Sequence, residues 1–396
     1  MRNLNKPLPS FCTSNFEVLN FLMIYSKIHK LPVLIECTSN QVNQYGGYTK
    51  LKPINFYKKI MNLKNKFKLK KENVLIGADH LGPLPWKHLD EKKALKNAIK
   101  LFKNCINAKF NKIHIDTGIK LKKDSSLSKK IIIERCKKIY NSVNKKKLNH
   151  IKFVFGTEVP VAGGGGGNKM LLTSLKAIKK DIEEYKKIRK RFSLVVEPGL
   201  NFTNNKVYKL NMKNFKQKYI LSKKDKFSFE AHSTDFQQYK SLKKLVKNNF
   251  LYLKIGPELT FNFMKAVLYM QSLEKKFFNG RKSNIQNNIS SIMDKKKIYW
   301  KNYYKGKKKV IENLKFNSFL DRSRYYWNEK KIIQSLSILK KNINKLKNKD
   351  IFINKKISKN SLLKINRIKF SNYDIIVYSF LEKIFKKYYK ACGYKI

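Results

Sequence analysis

Val74-Leu75-Ile76-Gly77-Ala78-Asp79-His80-Leu81-Gly82-Pro83 is the stretch from which the fold of this chain can be read. Its apolar half reads as a buried strand, Asp79-His80 stands at the strand's carboxyl end, and Gly82-Pro83 turns the chain away. Seven other short apolar runs are built similarly: Ser10-Phe11-Cys12, Val33 to Glu36, Ile113 to Asp116, Phe153 to Glu158, Leu194 to Glu197, Phe227 to His232 and Tyr252 to Lys254. From Glu36 to Glu197 the polar ends fall at 36, 79, 116, 158 and 197, so each step holds one strand and one helix. Parallel strands need crossovers of about a dozen residues or more, usually helical. Even spacing therefore points to a βα barrel or a doubly wound sheet, and eight units favour an α/β, eight-stranded parallel barrel. Active sites of such barrels gather at the carboxyl ends of the strands. That is where Glu36, Asp79, His80, Asp116, Glu158, Glu197, Glu230, His232 and Lys254 are expected.

The chain has 396 residues, enough for one barrel of about 250 residues plus an extra element. The strand series predicts a barrel over 1–264. From 265 to 396 aromatic and aliphatic residues recur at helical spacing among lysines, which predicts a helical extension packed on the barrel. There, Asp321-Arg322-Ser323-Arg324-Tyr325-Tyr326-Trp327 sets two arginines beside three aromatics, as a cap, a phosphate clamp, a subunit contact or a docked surface helix would.

Formal charge is +63, yet only eight of the 89 basic residues are arginine, and the lysines spread over nearly every predicted helix. Arginine is the preferred fork for phosphates and base edges. A lysine, asparagine and isoleucine excess of this kind follows from A- and T-rich codons, so no specific nucleic-acid partner is expected. Five scattered cysteines without a CxxC pair, no signal-peptide pattern and no apolar run near the ~20 residues of a membrane span predict a reduced, cytoplasmic protein.

An adjacent Asp and His at a strand end supply a proton-transfer group and a metal ligand. His232 ends another strand in Phe229-Glu230-Ala231-His232-Ser233-Thr234-Asp235, and Glu158 ends a third in Gly156-Thr157-Glu158-Val159-Pro160. Two histidines and a carboxylate at one barrel mouth match an open divalent-metal site, with zinc or manganese as the ion. The bland alternative is a set of hydrogen-bonded core polars tying loops to the barrel top. His114 shares a strand face with Asp116 and reads as a satisfied structural histidine. The run Gly163 to Gly167 suits a phosphate loop or a lid, although phosphate in barrels more often sits after the seventh and eighth strands, at Ser233, Thr234 and Gly256.

At these residues the sequence resembles the accessory, non-catalytic subunit family of class II D-tagatose-1,6-bisphosphate aldolase. The matching segments are Leu34 to Val42, Gly46-Gly47-Tyr48-Thr49, Asp79 to Pro83, Gly156 to Val161, Phe229 to Asp235 and Arg324-Tyr325-Tyr326-Trp327, in family order. The resemblance implies a βα barrel that associates with a separate catalytic aldolase subunit and supports its activity and stability in galactitol or N-acetylgalactosamine breakdown. Some relatives are metal-dependent epimerases that invert carbon 4 of a ketohexose or its phosphate. The sequence departs from the family at Asn15, where a histidine is usual, at Ala162 in place of proline, at Gly118 in place of serine, and near Tyr303 and Lys305, where histidines are missing.

Two roles follow. In the first, the barrel binds the catalytic subunit and its own site is residual. In the second, His80, Glu158 and His232 bind a metal, Asp79, Glu36 or Glu230 moves protons, and Lys254, Ser233, Thr234, Asp116 and Arg324 hold a ketohexose phosphate.

Overall fold

The structure, a computed structural model, describes residues 6–156, 172–210, 227–351 and 370–396. Eight strands close into an all-parallel barrel. They are β1 (Leu8–Cys12), β2 (Val33–Thr38), β3 (Val74–Leu81), β4 (Lys112–Ile115), β5 (Lys152–Phe155), β6 (Ser193–Val195), β9 (Ser228–Ala231) and β10 (Phe250–Ile255). Between β6 and β9 the short strands β7 (Asn201–Phe202) and β8 (Val207–Tyr208) pair antiparallel, an element the apolar pattern does not announce. The sequence's eight apolar runs thus become eight neighbours, in the order β1, β10, β9, β6, β5, β4, β3, β2.

Helices α1 (Phe16–His29), α2 (Pro53–Lys66), α3 (Glu91–Asn107), α4 (Lys129–Tyr140), α5 (Leu175–Lys186) and α6 (Tyr239–Lys247) alternate with the strands, and their apolar faces pack on the barrel's outside as the main core. Their starts are set locally. Asn15, the position at which a family histidine is missing, accepts from the amides of Glu17 and Val18, and Asp90, Ser128 and Ser174 cap α3, α4 and α5 in the same way.

Inside the barrel, strand alternation stacks side chains in layers. Leu8, Leu34, Leu75, Val154, Val195 and Tyr252 form a separate apolar plug. Two residues further along come Ser10, Glu36, Gly77 and Lys254, level with Lys112 and Glu230, and two further still Cys12, Asp79, His114 and His232. Apolar contact is thus confined to the amino-terminal end, and the carboxyl end is polar.

After β10 come α7 (Pro257–Phe277), α8 (Ile285–Lys295), α9 (Lys308–Asn317), α10 (Lys330–Asn344) and α11 (Asn372–Ala391). The boundary expected at 264/265 falls inside α7. The final helix α11 reaches the barrel itself: the Phe385 ring lies 5.7 Å from Phe11 on β1, and the Tyr389 hydroxyl donates to the Pro32 carbonyl at 2.8 Å. The Tyr373 hydroxyl donates to Glu17 of α1 at 2.9 Å. Residues 299–327 cross the barrel's carboxyl end, with Phe319 on Asn204 and Phe236 at one side and Tyr325 against Tyr48 at the other.

This integration is testable. Phe385→Ala is expected to lower the urea-unfolding free energy by about 3–5 kcal/mol, the usual loss for a buried phenylalanine. A single cooperative transition should remain. Separate melting of the residues after 264 would show that they form an independent unit.

Candidate functional site

The polar layers form one connected network. Lys112, fully buried at the start of β4, places its ammonium 2.5 Å from Glu36 and 2.5 Å from Glu230. Lys254 meets Glu36 at 2.9 Å, Glu230 at 2.8 Å and also Asp79. Gly77 makes room for this layer, since a Cβ there would lie 2.7 Å from Glu36 Oε1. Carboxylates desolvated to this degree would ordinarily take up protons, but the two ammonium groups reverse that tendency. Burial pushes Glu230 up, yet Lys112 and Lys254 outweigh it and hold the carboxyl well below its ordinary range. Burial likewise lowers Lys254, but Asp79, Glu230 and Glu36 raise it well above a free lysine. Lys254 is therefore a fixed ammonium and not an amine nucleophile.

One layer toward the mouth stand three imidazoles with ring centroids 5.0 to 5.2 Å apart, His80, His114 and His232. His80 reaches the interior by an irregularity. Ala78 pairs with Ile113 and Leu81 with Ile115, so β3 takes three steps where β4 takes two, and His80 adopts a positive φ of 44°. Plain alternation would point Asp79 and His80 to opposite faces, whereas this bulge brings both to the mouth. Gly82 secures the turn, because a Cβ there would overlap the Asp116 carbonyl at 1.7 Å.

His80 Nδ1 lies 2.7 Å from Asp116 Oδ2, and His232 Nε2 lies 2.8 Å from Glu230 Oε1. An ionised carboxylate only accepts, so each ring carries its proton on that nitrogen and turns the other toward the centre. His232 Nδ1 is buried without a hydrogen-bond partner. Burial and the nearby Lys254 lower His232 to about 3, which keeps it neutral. Burial alone would lower His80, but Asp79 and Asp116 raise it. His114 has both nitrogens engaged, Nδ1 at 3.1 Å from Asp79 and Nε2 donating to the Gly156 carbonyl at 3.0 Å. Asp79 also accepts from the Cys12 thiol at 3.3 Å. Burial raises Asp79, but His80, Lys254 and His114 hold it well below the ordinary carboxylate range.

This donor set fits a divalent metal. One donor atom from each of Asp79, His114, Glu230 and His232 lies within 4.8 Å of the others, and the same holds for His80, His114 and Asp116. Carboxylates behind His80 and His232 are the outer-shell partners that orient metal-binding imidazoles. Glu158, the third expected ligand, and Gly163 to Gly167 lie outside the described residues.

The expected phosphate residues fare differently. Lys254 has three carboxylate partners for its three donors. Thr234 donates its hydroxyl to the Lys254 carbonyl at 2.6 Å, and Asp235 Oδ1 accepts from the amides of Gly256 at 2.9 Å and Glu258 at 2.8 Å. An internal carboxylate thus holds the amides after the last two barrel strands, where a phosphate was expected. Ser233, at a positive φ of 53°, borders the same turn. Arg324 stands across the mouth near Tyr48. Lys112, His114 and Cys12 were not singled out as functional residues. The alternation Lys112-Ile113-His114-Ile115-Asp116 carries the missed signal, since it places all three polar residues on one strand face.

A family model described as "D-tagatose-1,6-bisphosphate aldolase subunit GatZ/KbaZ-like" matches residues 2–393. A crystal structure of a probable tagatose 6-phosphate kinase from Sinorhizobium meliloti 1021 superimposes with a TM-score of 0.86 at 25% identity, over 98% of this chain and 100% of that one. Fructose-bisphosphate aldolase from Campylobacter jejuni shares the fold, with a TM-score of 0.51 at 16% identity over 85% of this chain and 92% of that one. No helix among the described residues is long and apolar enough to cross a membrane, and all five cysteines are free.

Lys112→Met removes the cation between Glu36 and Glu230 and should destabilise the fold by about 3–5 kcal/mol in urea, with part regained in Lys112→Met/Glu36→Gln. A variant as stable as the parent would deny the network its structural weight. Asp235 gives a pH signature. Burial and Glu258 raise it to about 7, against about 3.9 in an unfolded chain. Between roughly pH 4 and 7 the folded state holds a proton that the unfolded state has lost, so stability falls as pH rises through that window. Asp235→Asn keeps the acceptor without the charge. It should flatten this dependence in thermal melts and gain on the order of 1 kcal/mol at pH 8.

Proposed function

Because this chain belongs to the D-tagatose-1,6-bisphosphate aldolase subunit GatZ/KbaZ-like family, we propose that it is an aldolase subunit whose barrel carries a metal-dependent site for ketohexose phosphates. The observation that carries the reading is the pair His80 and His232, each backed by a carboxylate on one nitrogen and turned inward with the other, beside the ionised Asp79. A pure scaffold has no use for this set, since burying unpaired polar and charged groups costs several kcal/mol.

When bound, zinc or manganese supplies Lewis-acid polarisation of the substrate carbonyl. His80, His232 and Glu158 would hold it. Asp79 would take the proton from the carbon 4 hydroxyl of a ketohexose phosphate. As that proton leaves, the bond between carbons 3 and 4 breaks and its electron pair passes to carbon 3 and the carbon 2 carbonyl. Re-addition to the other face of the aldehyde, with the proton returned to its oxygen, inverts carbon 4. Stopping after cleavage is the lyase half of the same chemistry. Glu36 and Glu230, fully buried one layer below, hold Lys254 and His232 in place and do not meet substrate. Lys254 helps to hold Asp79 ionised. Asp116 orients His80.

The second role, support of a separate catalytic subunit in galactitol or amino-sugar breakdown in the cytoplasm, rests on the family's description as a subunit.

An NMR assay separates the two. The purified chain with zinc or manganese and D-tagatose 6-phosphate is expected to yield D-fructose 6-phosphate, with product lost on chelation and at least a hundredfold less in His80→Ala or Asp79→Asn. No turnover alone, followed by stimulation of a cognate catalytic subunit, would leave only the supporting role. Unchanged metal content and activity in both variants would end the metal-site reading.

A further inference from the structure

The internal carboxylate at Asp235 leaves open where a sugar phosphate would bind. Two guanidiniums stand on the opposite rim. Arg322 is 4% exposed, donates from Nε to the Tyr299 carbonyl at 2.6 Å, and lies 3.8 Å over the Tyr303 ring and 4.6 Å over the Tyr325 ring. Its two terminal nitrogens make no hydrogen bond, and it pairs with no carboxylate, among the described residues. Arg324 lies 4.7 Å over the same Tyr325 ring, gives Nη1 to the Asp321 carbonyl at 2.9 Å and Nη2 to the Tyr325 hydroxyl at 3.2 Å. It too lacks a carboxylate partner among the described residues. The cluster faces the barrel mouth: Tyr325 meets Tyr48, in the loop after β2, at 4.7 Å and stacks on Tyr299 at 4.8 Å.

A buried cation is normally paired, because desolvation removes its water and returns nothing. Ring faces compensate Arg322 in part. Its unused edge still presents the planar fork that suits phosphate oxygens. Elsewhere in the buried polar core each ammonium has carboxylates within 3 Å. Arg322 is therefore the buried cation left with capacity for an external anion, and the half-buried Arg324, whose Nη1 also donates to the Leu320 carbonyl, stands beside it.

We propose that Arg322 and Arg324 form the binding place for the phosphate dianion of the sugar substrate, so that residues after β10 supply the anion site that the β9 and β10 loops of this barrel have given up. The idea rests on the ketohexose phosphate reading above for the identity of the ligand, but its test needs no turnover. It also accounts for why the Arg324-Tyr325-Tyr326-Trp327 segment lies over the mouth and not on the outer surface. Burial raises the Tyr325 phenol, yet the two arginines outweigh it and lower its pKa.

The experiment is titration calorimetry of the full chain with inorganic phosphate, D-tagatose 6-phosphate and D-tagatose, at ionic strength fixed with sodium chloride so that the diffuse lysine charge is screened alike in every run. One phosphate per chain is expected. Arg322→Met should weaken it about ten- to a hundredfold, the range for one or two hydrogen bonds to a charged group. Lys103→Met, on the exposed face of α3, should leave it unchanged. If inorganic phosphate alone is too weak to register, D-tagatose 6-phosphate should still bind more tightly than D-tagatose, with the difference lost in Arg322→Met. Wild-type affinity in Arg322→Met, or equal affinity of the parent chain for D-tagatose and its phosphate, would overturn the proposal. Should Arg322→Met melt early, Arg322→Lys, which keeps the charge but loses the fork, is expected to fall between the two, and full retention there together with loss of the single-site stoichiometry would count against the clamp. Phosphate binding without turnover would overturn the reaction proposed above and leave the clamp standing.

Discussion

Five ionised side chains packed inside the barrel constrain everything above them. Lys112 and Lys254 interleave with Glu36, Glu230 and Asp79, so that each charge has an opposite charge within hydrogen-bond distance. Any one of them alone would be expelled or neutralised by the low-dielectric interior. Together they satisfy one another, and their demands fix neighbours that carry no charge. Gly77 has no side chain because Glu36 occupies its space, and the Tyr252 ring lies 4.7 Å from the Lys112 ammonium, closing the layer from below.

The network also sets the chemistry of the mouth. Because Glu230 is ionised, it dictates which nitrogen of His232 carries the proton, and because Lys254 stands nearby, His232 is neutral. Because Asp116 holds the other side of His80, that ring too presents a defined nitrogen. His114 ties Asp79 to the Gly156 carbonyl, and so joins the acid on β3 to the root of the segment that carries Glu158. Position and protonation state thus come from the same contacts. A polar site at the carboxyl end of a barrel is ordinarily built from loops. Here most of its parts stand on the strands themselves, which gives it the rigidity of the sheet.

The residues after β10 supply what the strands do not. α11 completes the packing around β1 and α1, and the stretch from Tyr299 to Trp327 lies across the mouth. Sequence periodicity predicts these helices as an extension packed on the barrel, but an amphipathic pattern reports only that a face is covered and does not say which residues cover it. The Asp235 carboxylate at the amino terminus of α7 shows the same limit: Ser233, Thr234 and Gly256 have the composition of a phosphate loop, and only the hydrogen bonds reveal that the anion is already internal.

By itself the sequence determined the eight-stranded barrel and the identity of most groups at its mouth. A strand period of two and a regular strand-helix spacing are local properties, and the polar residue that ends each apolar run is fixed in place once the strands are parallel. The tertiary structure alone decided which of these groups touch. His80 turns inward only because β3 bulges against β4. Lys112, a residue unremarkable among so many lysines, becomes the centre of the interior only because Glu36 and Glu230, far apart in sequence, converge on it across the barrel. Lys254, at the end of its strand, meets carboxylates from three other strands. The physical reason is that Coulomb and hydrogen-bond energies depend on distances of a few ångströms. Strand closure sets those distances between residues that no sequence window contains together.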